Sequence, residues 1–307
     1  GSRMNDLKHP PNSAEAEQCL SGGVKPTRPV LRYHGGKWKL APWIIQHFPG
    51  HRGYIEPFGG AASVLVQKPR AYAEIYNALD GELVNLFRVL RARGEELIRA
   101  VELTPFSRAD FFESFLPAPD PVEQARRTMV RSFMGFGGNL TKPKRDGTTQ
   151  RTGFRSYSKK NRRSIPANDW RNYPDSIAAL INRLRGVIIE CRPALDVIAA
   201  HDAEDVLIYV DPPYVHATRC HDAGGTPRAY RHELSDDQHR ALADVLHASK
   251  GMIVLSGYPC DLYDLDLYQD WRRVERPNFA DGALPRTEVL WINHAAADAL
   301  ESLRAAA

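Results

Sequence analysis

The sequence predicts an α/β protein in which helices cover both faces of a central sheet. Short apolar runs that are typical of buried strands alternate along the chain with amphipathic helical patterns. Glycine- or proline-rich turns follow two of these apolar runs, at the strand ends where open α/β sheets bind ligands. A break in the alternation between residues 95 and 185 predicts an inserted, mainly helical domain with a basic loop.

The strands are recognised as short apolar runs bounded by turn residues. They are predicted at 54–56, 71–77, 187–191, 206–210 and 252–258. Two further runs near the end of the chain have the pattern of an antiparallel pair that closes the sheet. That pair is predicted at 271–279 and 287–294.

The helices follow from apolar residues at helical spacing and from capping signals. In the helix over 80–94 one face is apolar, and we expect Gly94 to end the helix. Ser235 and Gln238 form a capping box that starts another helix. Helices are predicted at 37–46, from 61, at 80–94 with a second helix after it, and at 177–186, 194–200 and 235–251.

Composition bounds the class of protein. Hydrophobic residues make up 43% of the 307 residues, which is enough to build a core, and no apolar run reaches the 18 residues that a membrane helix needs. The four cysteines form no C-x-x-C pair, so neither a zinc site nor a disulfide framework is predicted, and no other metal set is apparent. The polar start has no signal-peptide pattern. A reducing cytoplasm, of a bacterial or phage-type protein, is the expected location.

The strongest charge feature is a basic segment over residues 126–163. This segment contains twelve Lys and Arg residues and the single acid Asp146. Its net charge is therefore +11, in a chain whose total net charge is +4. Such asymmetry indicates a polyanionic partner, and double-stranded DNA is the expected one. Arg pairs with guanine and Asn or Gln with adenine, so four side chains are candidate base readers: Asn139, Arg145, Gln150 and Arg155. Phosphate contacts are expected from Arg126, Arg131, Lys142, Lys144, Lys159 and Lys160.

Two glycine-rich turns are candidate ligand loops. Glu56-Pro57-Phe58-Gly59-Gly60 lies between a strand and a helix, where a ligand can approach the backbone closely. Its spacing matches neither G-x-G-x-x-G nor a phosphate-binding loop, so a cofactor with a carboxylate and an amine fits it better. In the second turn, from Tyr33 to Lys37, an aromatic ring, Gly36 and a lysine are suited to an anionic group.

The third motif, Asp211-Pro212-Pro213-Tyr214, ends a buried strand. An exocyclic amine of a base is a poor nucleophile because its lone pair is delocalised into the ring. Two acceptors that hold both N–H groups would localise that pair, and the Asp211 carboxylate and the Pro212 carbonyl can act together in this way. Tyr214 can stack on the base, which must first leave the duplex.

These motifs together resemble the Dam-like DNA adenine N6-methyltransferases. The matching stretches are RYHGGKWKLAPWI, YIEPFGGAASVLV, EIYNALDGELVNLFRVLR, VLIYVDPPYV, ELSDDQHRALADVL with IVLSGY, and RTEVLWIN. They cover roughly residues 30–293, in the family's order of cofactor loop, target-recognition insert and catalytic loop. The resemblance implies a Rossmann-like methyltransferase sheet with a reversed closing hairpin, and S-adenosylmethionine as the cofactor.

Site residues follow from the resemblance by position. Asp211, Pro212, Pro213 and Tyr214 would be catalytic. The cofactor would contact Tyr33, Gly36, Lys37, Glu56, Pro57, Phe58, Gly59, Gly60, Asn77, Asp80 and Asp211. Two expected acids are replaced, one by Ala78 after the second strand and one by Pro193 after the third. Either Asp80 and Glu190 substitute for them or cofactor binding is weaker.

The predicted organisation is a disordered tail with a tag remnant over 1–27, a catalytic domain over 28–94 and 186–295, a target-recognition domain over 95–185, and a C-terminal tail over 296–307. Two alternatives remain open. One is a DNA-binding protein that has lost turnover, and the other is methylation of another amine, such as cytosine N4. The sequence is compatible with a restriction-modification enzyme that has a separate endonuclease or with an orphan epigenetic regulator, and a palindromic site would be served by two copies.

Overall fold

The computed structural model of the chain describes residues 24–32, 37–135, 142–143, 149–150, 153–156, 165–213, 234–279 and 285–306. Its centre is a seven-stranded sheet. The strands are β1 Gly53–Glu56, β2 Ala73–Asn77, β5 Val187–Glu190, β6 Val206–Val210, β7 Met252–Gly257, β8 Arg272–Phe279 and β9 Pro285–Ile292. Their spatial order is β5-β2-β1-β6-β7-β9-β8. A separate short hairpin joins β3 Lys142–Pro143 to β4 Thr149–Gln150.

Six of the seven strands run in the same direction, and only β9, in the closing hairpin, is reversed. β5, β2, β1, β6 and β7 pair in parallel, whereas β9 is antiparallel to both β7 and β8. All seven predicted strands are present, and the Rossmann-like α/β class is confirmed. The strand order changes direction between β1 and β6, which is the switch point where open α/β sheets bind ligands.

Eleven α-helices lie in the part of the chain that the structure describes. They are α1 Ala41–Ile45, α2 Ser63–Gln67, α3 Gly81–Ala92, α4 Gly94–Glu102, α5 Arg108–Glu113, α6 Pro121–Met134, α7 Pro166–Asn172, α8 Pro174–Arg183, α9 Ala194–His201, α10 Asp236–Ala248 and α11 His294–Ala306. A π-helical turn spans Leu262–Leu267. None of these helices is long and apolar enough to cross a membrane.

Helix ends explain where the structure departs from the predicted bounds. The helix expected over 37–46 is limited to α1, since a turn precedes Ala41. The helix expected over 80–94 is present as α3, which ends at Ala92, and the second helix, α4, begins at Gly94. The capping box of α10 is confirmed, because the Ser235 side chain accepts from the Gln238 amide and the Gln238 side chain accepts from the Ser235 amide.

The core has two parts, one on each face of the sheet. Alternate residues of each strand enter one part or the other, as the twofold period of a strand requires. One cluster contains Tyr54, Tyr76, Leu207, Val254 and Leu290. The cluster on the opposite face contains Ile55, Ile75, Ile208, Val210, Ile253 and Leu255.

The helices of the predicted insert share the first of these clusters. Val122 and Met129 of α6 and Trp170 of α7 are buried in the same cluster as Tyr76 and Leu86. Helices α4 and α6 also pack on α3, which precedes the predicted boundary at residue 95. The described part of the insert is therefore continuous with the core beside the sheet.

The C-terminal segment is ordered as a helix rather than as an irregular tail. α11 covers most of residues 296–307, where a tail was expected. It packs on β7, and Ala296 and Ala297 are buried in the contact. Small alanine side chains allow this close approach of a helix to the strand.

Candidate active site

The two candidate motif loops lie side by side at the carboxyl ends of adjacent strands. β1 ends at Glu56 and continues into the Pro57–Gly60 turn, while β6 ends at Val210 and continues into Asp211. These strands pair in parallel across the switch point, so both turns open on the same edge of the sheet. The sequence predicted each strand end but not that the two strands would be neighbours.

Strand register places four polar side chains on one face at this edge. Tyr209 is opposite Val254 in the β6–β7 pair, so Asp211 and Ser256 follow two residues later on the same side. Ser256 is opposite Leu290 in the β7–β9 pair, which places Glu288 two residues further along the same face. Glu56 follows Tyr54 in the same way on β1.

Asp211 is held by contacts from two distant parts of the chain. The Ser256 hydroxyl donates to Asp211 Oδ1 at 2.9 Å, and the Lys37 ammonium lies 3.7 Å from the same oxygen. Neither of these contacts uses Oδ2. The Asp211 side chain keeps 22% of its surface exposed, whereas Lys37 keeps only 5%. The carboxyl group is thus fixed in orientation at the rim of a buried cluster.

Glu288 completes a buried acid–lysine–acid arrangement. Its Oε2 lies 3.3 Å from the Lys37 ammonium, and its side chain is 4% exposed. Burial raises the pKa of Asp211 above its usual value, and the Glu288 charge adds to that increase, while Lys37 and Ser256 oppose it. With both acids ionised, the three groups carry one net negative charge, which suits a cationic ligand group.

Glu56 is a second buried acid near Asp211. Its Oε1 accepts hydrogen bonds from the Tyr54 hydroxyl and the Leu65 amide, both at 2.8 Å. Its Oε2 is buried and has no hydrogen-bond partner in the part of the chain that the structure describes. Burial raises the pKa of Glu56 to about 8, so this acid is largely protonated at neutral pH. Through its hydrogen bond with the Leu65 amide, Glu56 also anchors the first turn of α2.

The Pro57–Gly60 loop is fastened to the end of β2. The Gly59 amide donates to the Asn77 carbonyl at 2.8 Å, and the Tyr76 hydroxyl donates to the Gly60 carbonyl at 2.6 Å. A Cβ on Gly59 would meet the Tyr76 ring at 2.2 Å, so only glycine fits there. Gly60 and Ala62 have φ angles of 49° and 54°, and strained left-handed backbone at a non-glycine residue is typical of ligand sites.

Phe58 points away from the polar face of this loop. Its half-buried ring packs against the cluster that contains Ile55 and Ile208, on the other face of the sheet. Pro57 contributes its carbonyl, which accepts from the Asn77 side-chain amide at 2.9 Å. The backbone of the loop is thus fixed on the β2 side.

Asn77 and Asp80, at the end of β2, have structural partners. The Asn77 amide group donates to the Pro57 and Arg192 carbonyls, and its oxygen accepts from the Arg192 amide, with all three contacts at 2.9–3.0 Å. Asn77 is fully buried and its side chain is engaged within the fold, so its predicted contact with the cofactor stays a prediction. The Asp80 carboxylate accepts from the Glu82 amide at 2.9 Å and caps α3.

The backbone carbonyls of Pro193 and Glu190 also have hydrogen-bond partners within the fold. Pro193 is the residue that precedes α9, and its carbonyl accepts from the Asp196 and Val197 amides. Glu190 ends β5 and its backbone carbonyl accepts from the Ala78 amide. Ala78 and Pro193 occupy the two positions at which the family resemblance leads us to expect acids.

Several predicted site residues lie outside the described residues. They are Tyr33, Gly36, Tyr214, Asn139, Lys144, Arg145, Lys159 and Lys160. Lys142 and Gln150 fall on the backbone of the β3–β4 hairpin. Pro212 is buried and Pro213 half-buried directly after Asp211.

The arginines of α6 have acidic partners within the fold. Arg126 pairs with Glu123 and Asp110, and Arg131 lies 2.9 Å from Glu82 with 3% of its side chain exposed. The Arg131 side chain is thus engaged inside the fold, and its contact with DNA stays a prediction. Arg126 is also engaged, with only 12% exposed. The Arg155 side chain is half-buried, and its backbone amide donates to the Met134 carbonyl at 2.7 Å.

Sequence reasoning missed one member of the site, Glu288, whereas the strand end Ser256-Gly257-Tyr258 was compatible with either a lining of the target pocket or core packing. A signal for Glu288 existed, because it is an acid inside an otherwise apolar strand pattern, T-E-V-L-W-I. Ser256 stands in a similar way at the end of an apolar run. Tyr258, which follows β7, lies beside them, with the Lys37 ammonium 5.8 Å and the Arg286 guanidinium 5.2 Å from its ring centroid.

No group of three or more His, Cys, Asp and Glu side chains among the described residues is arranged to hold a metal ion. The arrangement as a whole is a rigid, mainly acidic corner beside a glycine-rich turn. It can hold a cationic group and present carboxylate and carbonyl acceptors to an amine.

Comparison with known proteins gives one family. The model of the "D12 class N6 adenine-specific DNA methyltransferase" family matches residues 33–271. The DNA adenine methylase of Serratia marcescens is 22% identical over 263 residues, which cover 81% of this chain and 88% of that protein. The DNA adenine methylase of Escherichia coli K12 is 22% identical over 201 residues, 62% of this chain and 66% of that protein. That of Haemophilus influenzae is 25% identical over 230 residues, 71% and 73% of the two chains.

Proposed function

Since the chain belongs to the D12 class of N6 adenine-specific DNA methyltransferases, we propose that it methylates N6 of an adenine flipped out of double-stranded DNA, with S-adenosylmethionine as the methyl donor. The observation that carries the catalytic part is the carboxylate of Asp211. It is oriented by Ser256 and Lys37 at the end of β6 and followed directly by two prolines.

The residues at the carboxyl edge fit this donor. Asp211 and Glu288 together place two carboxylates against the single ammonium of Lys37, and the excess negative charge suits a sulfonium and an amine. Gly59 and Gly60 let a ligand lie close to the backbone. The donor would supply an electrophilic methyl group, and its bonding electron pair would remain on sulfur.

Asp211 and Pro212 activate the amine in this proposal. The Asp211 carboxylate accepts one N–H of the adenine amine and the Pro212 carbonyl accepts the other, so that the nitrogen lone pair is drawn out of the ring. The new N–C bond forms from that lone pair. The nitrogen then carries an extra proton, which passes to the Asp211 carboxylate. Because burial raises the pKa of Asp211, it accepts this proton more readily than an exposed aspartate would.

DNA contacts are proposed for the segment after α6. With Arg126 and Arg131 paired inside the fold, the predicted phosphate contacts that remain are Lys142, Lys144, Lys159 and Lys160. Asn139, Arg145, Gln150 and Arg155 remain candidate base readers. About four phosphate contacts would give a log-log salt slope of roughly −4.

The test is incubation of the protein with labelled S-adenosylmethionine and a mixed-sequence duplex, followed by sequencing for modified bases. We expect label in DNA and N6-methyladenine at one short sequence. A matched Asp211→Ala sample controls for carried-over enzyme. Tight DNA binding with no label at saturating donor would instead identify a DNA-binding protein without turnover, which the structural engagement of Asn77 and Asp80 would favour. Recovery of N4-methylcytosine alone would contradict the choice of adenine.

A further inference from the structure

The hydroxyl of Tyr209 and the hydroxyl of Ser256 form a chain that ends on the candidate catalytic acid. The Tyr209 hydroxyl lies 2.9 Å from Ser256 Oγ, and Ser256 Oγ donates to Asp211 Oδ1 at 2.9 Å. Because the one Ser256 proton is directed to the carboxylate, Tyr209 is the donor in the first contact. Both residues are almost fully buried, Tyr209 at 3% and Ser256 at 2% exposure.

The chain is built into the sheet rather than into a loop. Tyr209 and Asp211 are two residues apart on β6 and its continuation, and Ser256 is on the neighbouring strand β7 at the same level as Asp211. Their common face follows from the period of the strands. Hydrogen-bonded strands position side chains more rigidly than loops do, which suits a group that must hold a fixed direction.

Some of the groups around Asp211 favour its ionised form, and others favour its neutral form. They come from six elements: Lys37 before α1, Glu56 on β1, Tyr209 on β6, Ser256 on β7, Tyr263 in the π-helical turn, and Glu288 on β9. Burial and the Glu288 charge oppose ionisation of Asp211, whereas Lys37 and the Ser256 hydrogen bond favour it. Ser256 is therefore one of the few groups that keep this acid in its acceptor form.

We propose that Ser256 and Tyr209 are positioning residues of the methyl-transfer reaction: a two-step hydrogen-bond relay holds Asp211 Oδ1, so that Oδ2 is directed to the amine of the target base. Tyr209 acts only through Ser256, because its hydroxyl polarises the hydroxyl that contacts the carboxylate. This inference rests on the proposed function, since it assigns roles within the same reaction.

The test compares four variants of the full chain by the pH dependence of kcat/KM for methyl transfer. Ser256→Ala removes a hydrogen bond that favours the ionised acid, so the acid limb should move up by about one pH unit and kcat should fall about tenfold or more. KM for DNA should stay within about twofold, because the proposed DNA contacts lie elsewhere. Ser256→Thr keeps the hydroxyl and should return the acid limb to its wild-type position.

Tyr209→Phe tests the second step, because it removes one hydroxyl and keeps the ring in the core. We expect a smaller upward shift of about 0.3 pH unit in an otherwise wild-type chain. In the Ser256→Ala background the same change should produce no further shift, since the relay is already broken. Melting temperatures of all variants identify any that are not folded at the assay temperature. If Ser256→Ala is among them, Tyr209→Phe in the wild-type chain carries the test, and an unmoved acid limb in that variant overturns the relay.

The outcomes separate this inference from the function on which it rests. A wild-type chain that transfers methyl groups while Ser256→Ala leaves the acid limb unmoved overturns the relay alone. Equal shifts by Tyr209→Phe in both backgrounds also overturn it, because Tyr209 would then act independently of Ser256. Absence of methyl transfer by the wild-type chain overturns the proposed function and the relay together.

Discussion

The carboxyl ends of β6 and β2 use their polar side chains in opposite ways. At the end of β6, Asp211 is oriented by Ser256 and Lys37 and still keeps part of its surface exposed to the site. At the end of β2, the Asn77 side chain makes three hydrogen bonds to the backbone of neighbouring loops, and Asp80 caps α3. The two strand ends occupy equivalent places in the sheet, so position at a carboxyl end does not by itself make a side chain a ligand contact.

The difference comes from what surrounds each end. On one side of β6 lie its neighbour β7 and, beyond it, β9, which bring a hydroxyl and a second acid onto the same face as Asp211. The end of β2 is flanked by the Pro57–Gly60 loop and the segment after β5, whose backbone groups need hydrogen-bond partners when buried. A buried amide that satisfies three backbone groups is a structural element, whereas a buried acid held by one hydroxyl and one ammonium remains available for chemistry.

The largest expected effect is at Asp211. Asp211→Ala removes the proposed acceptor for the amine, and kcat for methyl transfer should fall on the order of 10³-fold. Stability should change little, because Lys37 keeps its pairing with Glu288. Initial rates and thermal melting measure both quantities, and Asp211→Asn, which retains an acceptor oxygen, should lose less activity. If Asp211→Ala kept a tenth of the wild-type rate, Asp211 would not be the essential acceptor, and the ends of β6 and β2 would no longer differ in function.

The second effect is on stability and concerns Asn77. Asn77→Ala leaves the Pro57 and Arg192 carbonyls and the Arg192 amide without this partner, which should cost about 2–4 kcal/mol of unfolding free energy. The melting temperature should fall by roughly 5–10 °C. At a temperature where the variant is folded, kcat should stay within about threefold of wild type. A loss of kcat without a loss of stability would mean that Asn77 belongs to the site after all.

The third prediction extends the comparison to Glu56 at the end of β1. Its pKa in the fold is about 8, above the usual value of 4.5, so between these pH values the folded chain binds more protons than the unfolded chain. The free energy of unfolding should therefore decrease as pH rises from about 4.5 to 8, by up to about 1.4 kcal/mol per pH unit from this one group. Glu56→Gln should remove that component. Melting curves of both chains from pH 5 to 9 test it, and parallel pH profiles would contradict it.

The smallest effect is expected at Asp80. Asp80→Asn preserves a side-chain acceptor for the Glu82 amide, since Asn caps helices about as well as Asp, and stability should change by less than about 0.5 kcal/mol. If Asp80 serves the cap alone, the Kd for S-adenosylmethionine measured by calorimetry should also stay within about twofold. An increase of the Kd by about tenfold would show that the Asp80 charge contacts the donor, and would make the ends of β2 and β6 alike.

Much of the fold was predictable because it depends on local patterns. The strands and the capping box of α10 follow from side-chain period and from residues that satisfy free amides at a helix start. Helix ends were less predictable: the helix expected over 37–46 is limited to α1, because a turn precedes Ala41. The helix α11 was missed because an alanine-rich terminal segment needs a docking surface, here β7, to become a helix.

By itself, the sequence determined the strand that carries the Asp211-Pro212-Pro213 corner, the glycine-rich turn after β1 and the concentration of positive charge over 126–163. Each of these features consists of residues that are close together in the chain. Only the tertiary structure decided which of these groups meet. It joined Lys37, Asp211, Ser256 and Glu288 through strand pairing between distant segments, and it paired Arg126 and Arg131 with acids of the fold. Charge and residue type are local properties of a chain, whereas burial and neighbours depend on contacts between residues far apart in sequence.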